Sequence, residues 1–142
     1  FLDPFNRAPF SEAPYDLTEV YRQLAELRKS ADALKTGYAV FFAPDADCLG
    51  VLRYVVGGRD ALGRPAEDGV YFVAVNRSEK RRLVVFDFMS RNSLFSGAHQ
   101  RALRTLVNGA VTCRLTGKSY TIMDALLEMK LEGFGAVWLK IA

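Results

Sequence analysis

The chain has 142 residues, half of them apolar and a quarter charged, the balance of a globular unit with its own core. Its 19 Lys plus Arg against 16 Asp plus Glu leave a net charge of +3, dispersed except at 77–82 and the Arg101/Arg104 pair, so there is no basic stripe for nucleic acid. No apolar run reaches the roughly 18 residues of a membrane span. Cys48 and Cys113 lie in no zinc or C-x-x-C pattern. Neither nucleic acid nor membrane is expected as a partner, and neither metal nor cofactor is expected.

Residues 1–15 are rich in Pro and aromatics, and Pro4, Pro9 and Pro14 forbid regular helix. Phe1, Phe5 and Phe10 require something to pack against. The chain opens on Phe1 without Met and is expected to continue upstream. No signal peptide is in view, but a chain that opens without Met leaves the compartment unknown, with cytoplasmic favoured over secreted.

Residues 16–29 read as a helix. Asp16 is its N-cap and Glu19 the capping-box partner, while Leu17, Val20, Tyr21, Leu24 and Leu27 form one apolar face. Arg28 and Lys29 suit the negative end of the helix dipole. A short continuation through Leu34 ends at Gly37.

From Tyr38 the pattern turns to short strands with polar turns. Strands are expected over 38–42, 49–56, 70–75 and 83–88, with a polar loop at 57–69 and a hairpin turn at 76–80. The segment 89–100 is irregular. Weaker strands are read at 101–107, 111–115 and 119–122, and clearer ones at 126–131 and 136–141. In 126–131, Leu127, Met129 and Leu131 point inward; in 136–141, Val137, Leu139 and Ile141 share a face. One helix followed by about eight short strands is an all-β antiparallel sandwich with a helix before it.

Four segments carry a more specific signal. They are Asp3-Pro4-Phe5-Asn6-Arg7-Ala8-Pro9, Tyr21-Arg22-Gln23-Leu24-Ala25-Glu26-Leu27-Arg28, Ala33-Leu34-Lys35-Thr36-Gly37, and the apolar strand Tyr71–Val75 that ends in Asn76-Arg77-Ser78. In this order they resemble the end of the catalytic barrel and the following sandwich of glycoside hydrolase family 13, the α-amylase family. The resemblance is closest to the neopullulanase, cyclomaltodextrinase and maltogenic amylase branch. Many members of that branch carry Trp soon after the first segment, where this chain has Phe10-Ser11-Glu12-Ala13.

The resemblance implies that residues 1–37 are the end of a (β/α)8 barrel, an active-site loop and the last helix, and that residues 38–142 are the C-terminal β-sandwich domain. The parent is then a retaining α-glycosidase acting on starch or maltodextrin. Such an enzyme needs two carboxyl groups about 5 Å apart. In the resembled family these lie upstream of Phe1, so this chain is expected to be catalytically inert alone. Asp3 and Arg7 are the implied substrate contacts in the full enzyme: a carboxylate accepts from sugar hydroxyls and a guanidinium donates to them. The implied partners are the upstream barrel and an α-glucan oligosaccharide, and the fragment is expected to self-associate. Trp138, the only Trp, is a candidate surface sugar contact or a residue at the seam with the barrel. Two alternatives remain: a starch- or maltodextrin-binding sandwich module, and a structural or interaction sandwich unrelated to glycosidases. His99 reads as a surface loop residue, Gly57, Gly58 and Gly63 as loop glycines without a P-loop pattern, and the Asn76-Arg77-Ser78 sequon as a turn.

Overall fold

The computed structural model describes residues 18–90 and 97–142. The chain divides into two units, one ending at Ser30 and one spanning Ala31–Ala142. In the first, α1 (Thr18–Lys29) closes with Arg28 and Lys29 in its last turn, and the Ser30 hydroxyl donates to the Leu27 carbonyl at 2.8 Å. The Glu19 carboxylate takes hydrogen bonds from Arg22 and, at 3.0 Å, from Gln23. Asp16 lies outside the described residues.

The second unit is a sandwich of two four-stranded sheets, antiparallel throughout. Strands β1 (Tyr38–Phe42), β2 (Cys48–Val55), β3 (Gly69–Asn76) and β8 (Ala136–Lys140) form the first sheet in the order β1-β2-β3-β8. Strands β4 (Arg82–Asp87), β5 (Gly109–Thr112), β6 (Ser119–Met123) and β7 (Leu126–Leu131) form the second in the order β4-β7-β6-β5. Period-two alternation sends Val40, Phe42, Leu52, Phe72, Phe86, Leu127 and Leu139 into the space between the sheets. Phe72 is its centre, edge-to-face with Phe86 at 4.8 Å and Phe88 at 4.9 Å. The sheets come so close at β2 that a Cβ on Gly50 would stand 2.6 Å from the Phe86 ring and 2.7 Å from Phe72. At one margin they join, where Cys113 bridges Leu139 and the Arg114 amide donates to the Trp138 carbonyl at 2.7 Å.

Two expectations are corrected here. The segment 76–80 is not a hairpin turn, because β3 pairs with β2 and β8 while β4 pairs with β7. It carries the chain from one sheet to the other. Buried Asn76 fixes the crossing: its Nδ2 donates to the carbonyls of Lys80 at 2.8 Å and Glu132 at 2.9 Å, and its Oδ1 accepts from the Ser78 amide and hydroxyl. The second correction is 101–107, read as a strand but built as most of α3 (Gly97–Leu106). Leu103, Leu106 and Val107 recur at helical spacing, and Leu103 and Val107 are fully buried in the sandwich core. His99 consequently sits on a helix and is half-buried. Its ring meets Tyr38 edge-on at 4.8 Å and its Nδ1 lies 3.4 Å from the Tyr54 hydroxyl.

The polar loop at 57–69 is folded rather than loose. Asp60 is 2 % exposed and accepts from the Leu62 and Arg64 amides, each at 2.9 Å, and from the Arg64 guanidinium. The short helix α2 (Asp32–Lys35) lies on the outer side of the first sheet. Ala31 and Ala33 pack with Val55 and Tyr71, and Arg53 Nε donates to the Ala33 carbonyl at 3.1 Å.

Candidate functional sites on the sandwich

Asp3 and Arg7 lie outside the described residues. Trp138 is described. It stands on β8 on the outer side of the first sheet, between inward Val137 and Leu139, and is half-buried. Register puts it in one row across the sheet: Phe41 opposite Val51, Val51 opposite Val73, Val73 opposite Trp138. A second row runs from Leu49 through Val75 to Ala136. Phe41 is 59 % exposed, Leu49 42 % and Val75 38 %. The indole Nε1 of Trp138 is enclosed and makes no hydrogen bond among the described residues. The outer side of this sheet is thus an apolar surface in two rows, bounded at one end by α2.

Several other candidates find a structural use. The amides of Gly57 and Gly58 are taken by the Asp68 carboxylate at 3.0 and 2.7 Å, so that glycine pair is closed by its own loop. The Asn76 amide is spent inside the crossing, so its sequon is not displayed to solvent. Cys48 and Cys113 are buried free thiols. Burial raises the Cys48 thiol above its usual value. Burial pushes Cys113 the same way, but the Thr116 hydroxyl and the backbone amides around it outweigh that and bring it down. Among the described residues no cluster of three or more His, Cys, Asp or Glu is disposed to hold a metal ion.

One groove of mixed polar and apolar lining went unread in the sequence. It has a volume of about 500 Å³ and is lined by Asp87 and Met89 after β4, Arg104 and Asn108 from α3 and the residue beyond Val107, and Asp124 and Leu126 at the β6–β7 turn. The walls are tied together. Asn108 Nδ2 donates to the Arg104 carbonyl at 2.8 Å, its Oδ1 accepts from the Ala125 amide at 3.2 Å, and the Phe88 amide donates to the Ala125 carbonyl at 3.0 Å. The turn itself is tight, with Asp124 and Ala125 both in the left-handed region at φ 50° and 62°. A strand reading of 101–107 hides the groove, because one of its walls is the helix α3.

No model of a protein family matches the chain. It is similar to the amylopullulanase of Thermoanaerobacterium saccharolyticum, 27% identical over 139 residues and covering 96% of this chain but 10% of that protein. It is also similar to the amylopullulanase of Thermoanaerobacter thermohydrosulfuricus, 24% identical over 131 residues, covering 91% of this chain and 8% of that one. The chain therefore spans about a tenth of the length of these curated relatives. Among solved structures, an Anoxybacillus α-amylase superposes with a TM-score of 0.64 at 19% identity, covering 99% of this chain and 25% of that one. AmyP in complex with maltotriose superposes at 0.62 and 17% identity, covering 99% and 23%. The fold neighbours are α-amylases and the sequence relatives are amylopullulanases, and each is matched over only a small part of its length. The likeness in sequence to amylopullulanases and in fold to α-amylases fits a C-terminal part of a glycoside hydrolase family 13 enzyme.

Proposed function

We propose that the sandwich is the non-catalytic C-terminal domain of an α-glucan hydrolase and that its task is to stabilise the catalytic barrel upstream. The observation that carries this reading is the apolar outer side of the first sheet. Phe41, Val51, Val73 and Trp138 cross the sheet in one row, and Leu49 and Val75 lie beside them. An isolated domain gains nothing from such a surface, which costs solubility unless it is covered. The relatives are about ten times longer than this chain, so a covering body of the same polypeptide is at hand. On this reading residues 1–37 complete the barrel, Asp3 and Arg7 contact the glucan there, and residues 38–142 clamp the barrel from outside. The half-buried indole of Trp138 belongs to that seam rather than to a sugar platform, because its Nε1 is already enclosed.

The test is made in the parent enzyme. Phe41→Glu combined with Val73→Glu should lower its thermal midpoint and soluble yield while leaving kcat/KM for maltodextrin at low temperature unchanged. Unchanged stability would overturn the clamp. A loss of kcat/KM with stability intact would instead assign the sandwich to substrate handling.

A further inference from the structure

We propose that the groove between α3, the end of β4 and the β6–β7 turn is a secondary binding site for an α-glucan oligosaccharide, on a different part of the sandwich from the apolar sheet surface. The choice of an α-glucan rests on the hydrolase reading above; the choice of a neutral sugar rests on the groove. About 500 Å³ lies within the range of small-ligand sites, on the order of 300–1,000 Å³. Its lining mixes one guanidinium, Arg104, with two carboxylates, Asp87 and Asp124, over the apolar side chains of Met89 and Leu126.

Among the described residues Arg104 and Asp124 enter no ion pair, and no hydrogen bond involves either of their charged groups. Asp87 gives Oδ1 to the Met89 amide at 2.8 Å and keeps Oδ2 for another donor. An anion entering here meets two carboxylates, and a cation meets Arg104. A sugar hydroxyl suits both, donating to a carboxylate while accepting from the guanidinium. The weakly polar C–H side of a pyranose then lies on Met89 and Leu126. The hydrogen bonds that run from Asn108 to Ala125 and from Phe88 to Ala125 hold the walls in place before a ligand arrives, so little ordering is needed on binding.

The experiment is a titration of the 142-residue chain with maltoheptaose, followed by amide chemical shifts, and repeated with Arg104→Ala, Asp124→Ala and Trp138→Ala. The expected result is saturable shifts at Asn108, Asp124 and Ala125, with affinity reduced about tenfold or more by each groove substitution and unchanged by Trp138→Ala. Both groove side chains are exposed, and their spectra outside the groove should match the unsubstituted chain. Absence of shifts, shifts centred on β8, or full affinity in Arg104→Ala would each overturn the site. Equal binding of cellohexaose would overturn the α-glucan assignment. None of these outcomes bears on the clamp, which is read from the stability of the parent.

Discussion

At the scale of single residues, the clearest electrostatic feature is Asp60. Burial pushes its carboxyl upward, but the Arg64 amide, the Thr36 hydroxyl, the Arg64 guanidinium and the Leu62 amide outweigh that and hold it at about 2, below its ordinary 3.8. The unfolded chain therefore takes up this proton at a higher pH than the folded one. The stabilisation is complete above pH 3.8 and is lost as the pH falls through about 2. Asp60→Asn keeps the shape and removes the charge. Its thermal midpoint should lie below that of the unsubstituted chain at neutral pH, and the gap should close as the pH falls from 3.8 to about 2. Midpoints measured by circular dichroism across that range decide it; a gap that persists at pH 2 would assign the acid sensitivity to other groups. Asp60 was legible in the sequence only as one polar residue in a loop, because its importance comes from donors that the folded loop turns inward.

At the scale of elements, the strands were largely readable and α3 was not. Strands over 126–131 and 136–141 announce themselves by alternation, and their inward residues Leu127, Met129, Leu131, Val137 and Leu139 are all buried. Tyr38–Phe42 matches its expected bounds. The segment 101–107 satisfies two periods at once: Leu103, Thr105 and Val107 alternate like a strand, while Leu103, Leu106 and Val107 recur like a helix. Which period wins depends on the core, which receives Leu103 and Val107 but leaves Thr105 exposed. Substitution separates the two readings. Leu103→Ala should cost about 2–5 kcal/mol in urea unfolding, whereas Thr105→Ala should stay within about 0.5 kcal/mol. Comparable losses at both positions would restore the strand. The 76–80 crossing escaped for a different reason. An Asn-rich turn between two strands looks alike whether the strands pair with each other or part into two sheets, and only the long-range partners of Asn76 distinguish them. Gly50 carries a similar long-range demand, since a Cβ there meets Phe72 and Phe86 from two other strands.

At the scale of the whole molecule, the two surfaces of the sandwich differ in kind. The second sheet also exposes apolar side chains, Leu83 and Val85 on β4 and Met123 on β6, but charged Lys130 and Glu128 stand opposite Leu83 and Val85 in register. The first sheet has no such interruption along Phe41, Val51, Val73 and Trp138. Left uncovered, this row gains from contact with a second copy. Burying a large apolar side chain is worth about 1.5–3 kcal/mol, or about tenfold and upward in an association constant. The 142-residue chain should accordingly associate in a concentration-dependent way in analytical ultracentrifugation. Phe41→Glu should weaken that association about tenfold or more. Met123→Glu, at a side chain even more exposed but on the other sheet, should leave it unchanged. If the two substitutions weaken association equally, the contact is non-specific and the first sheet loses its claim to be the docking surface; if only Phe41→Glu acts, the row that joins two copies of the chain is the same row on which the proposed clamp rests.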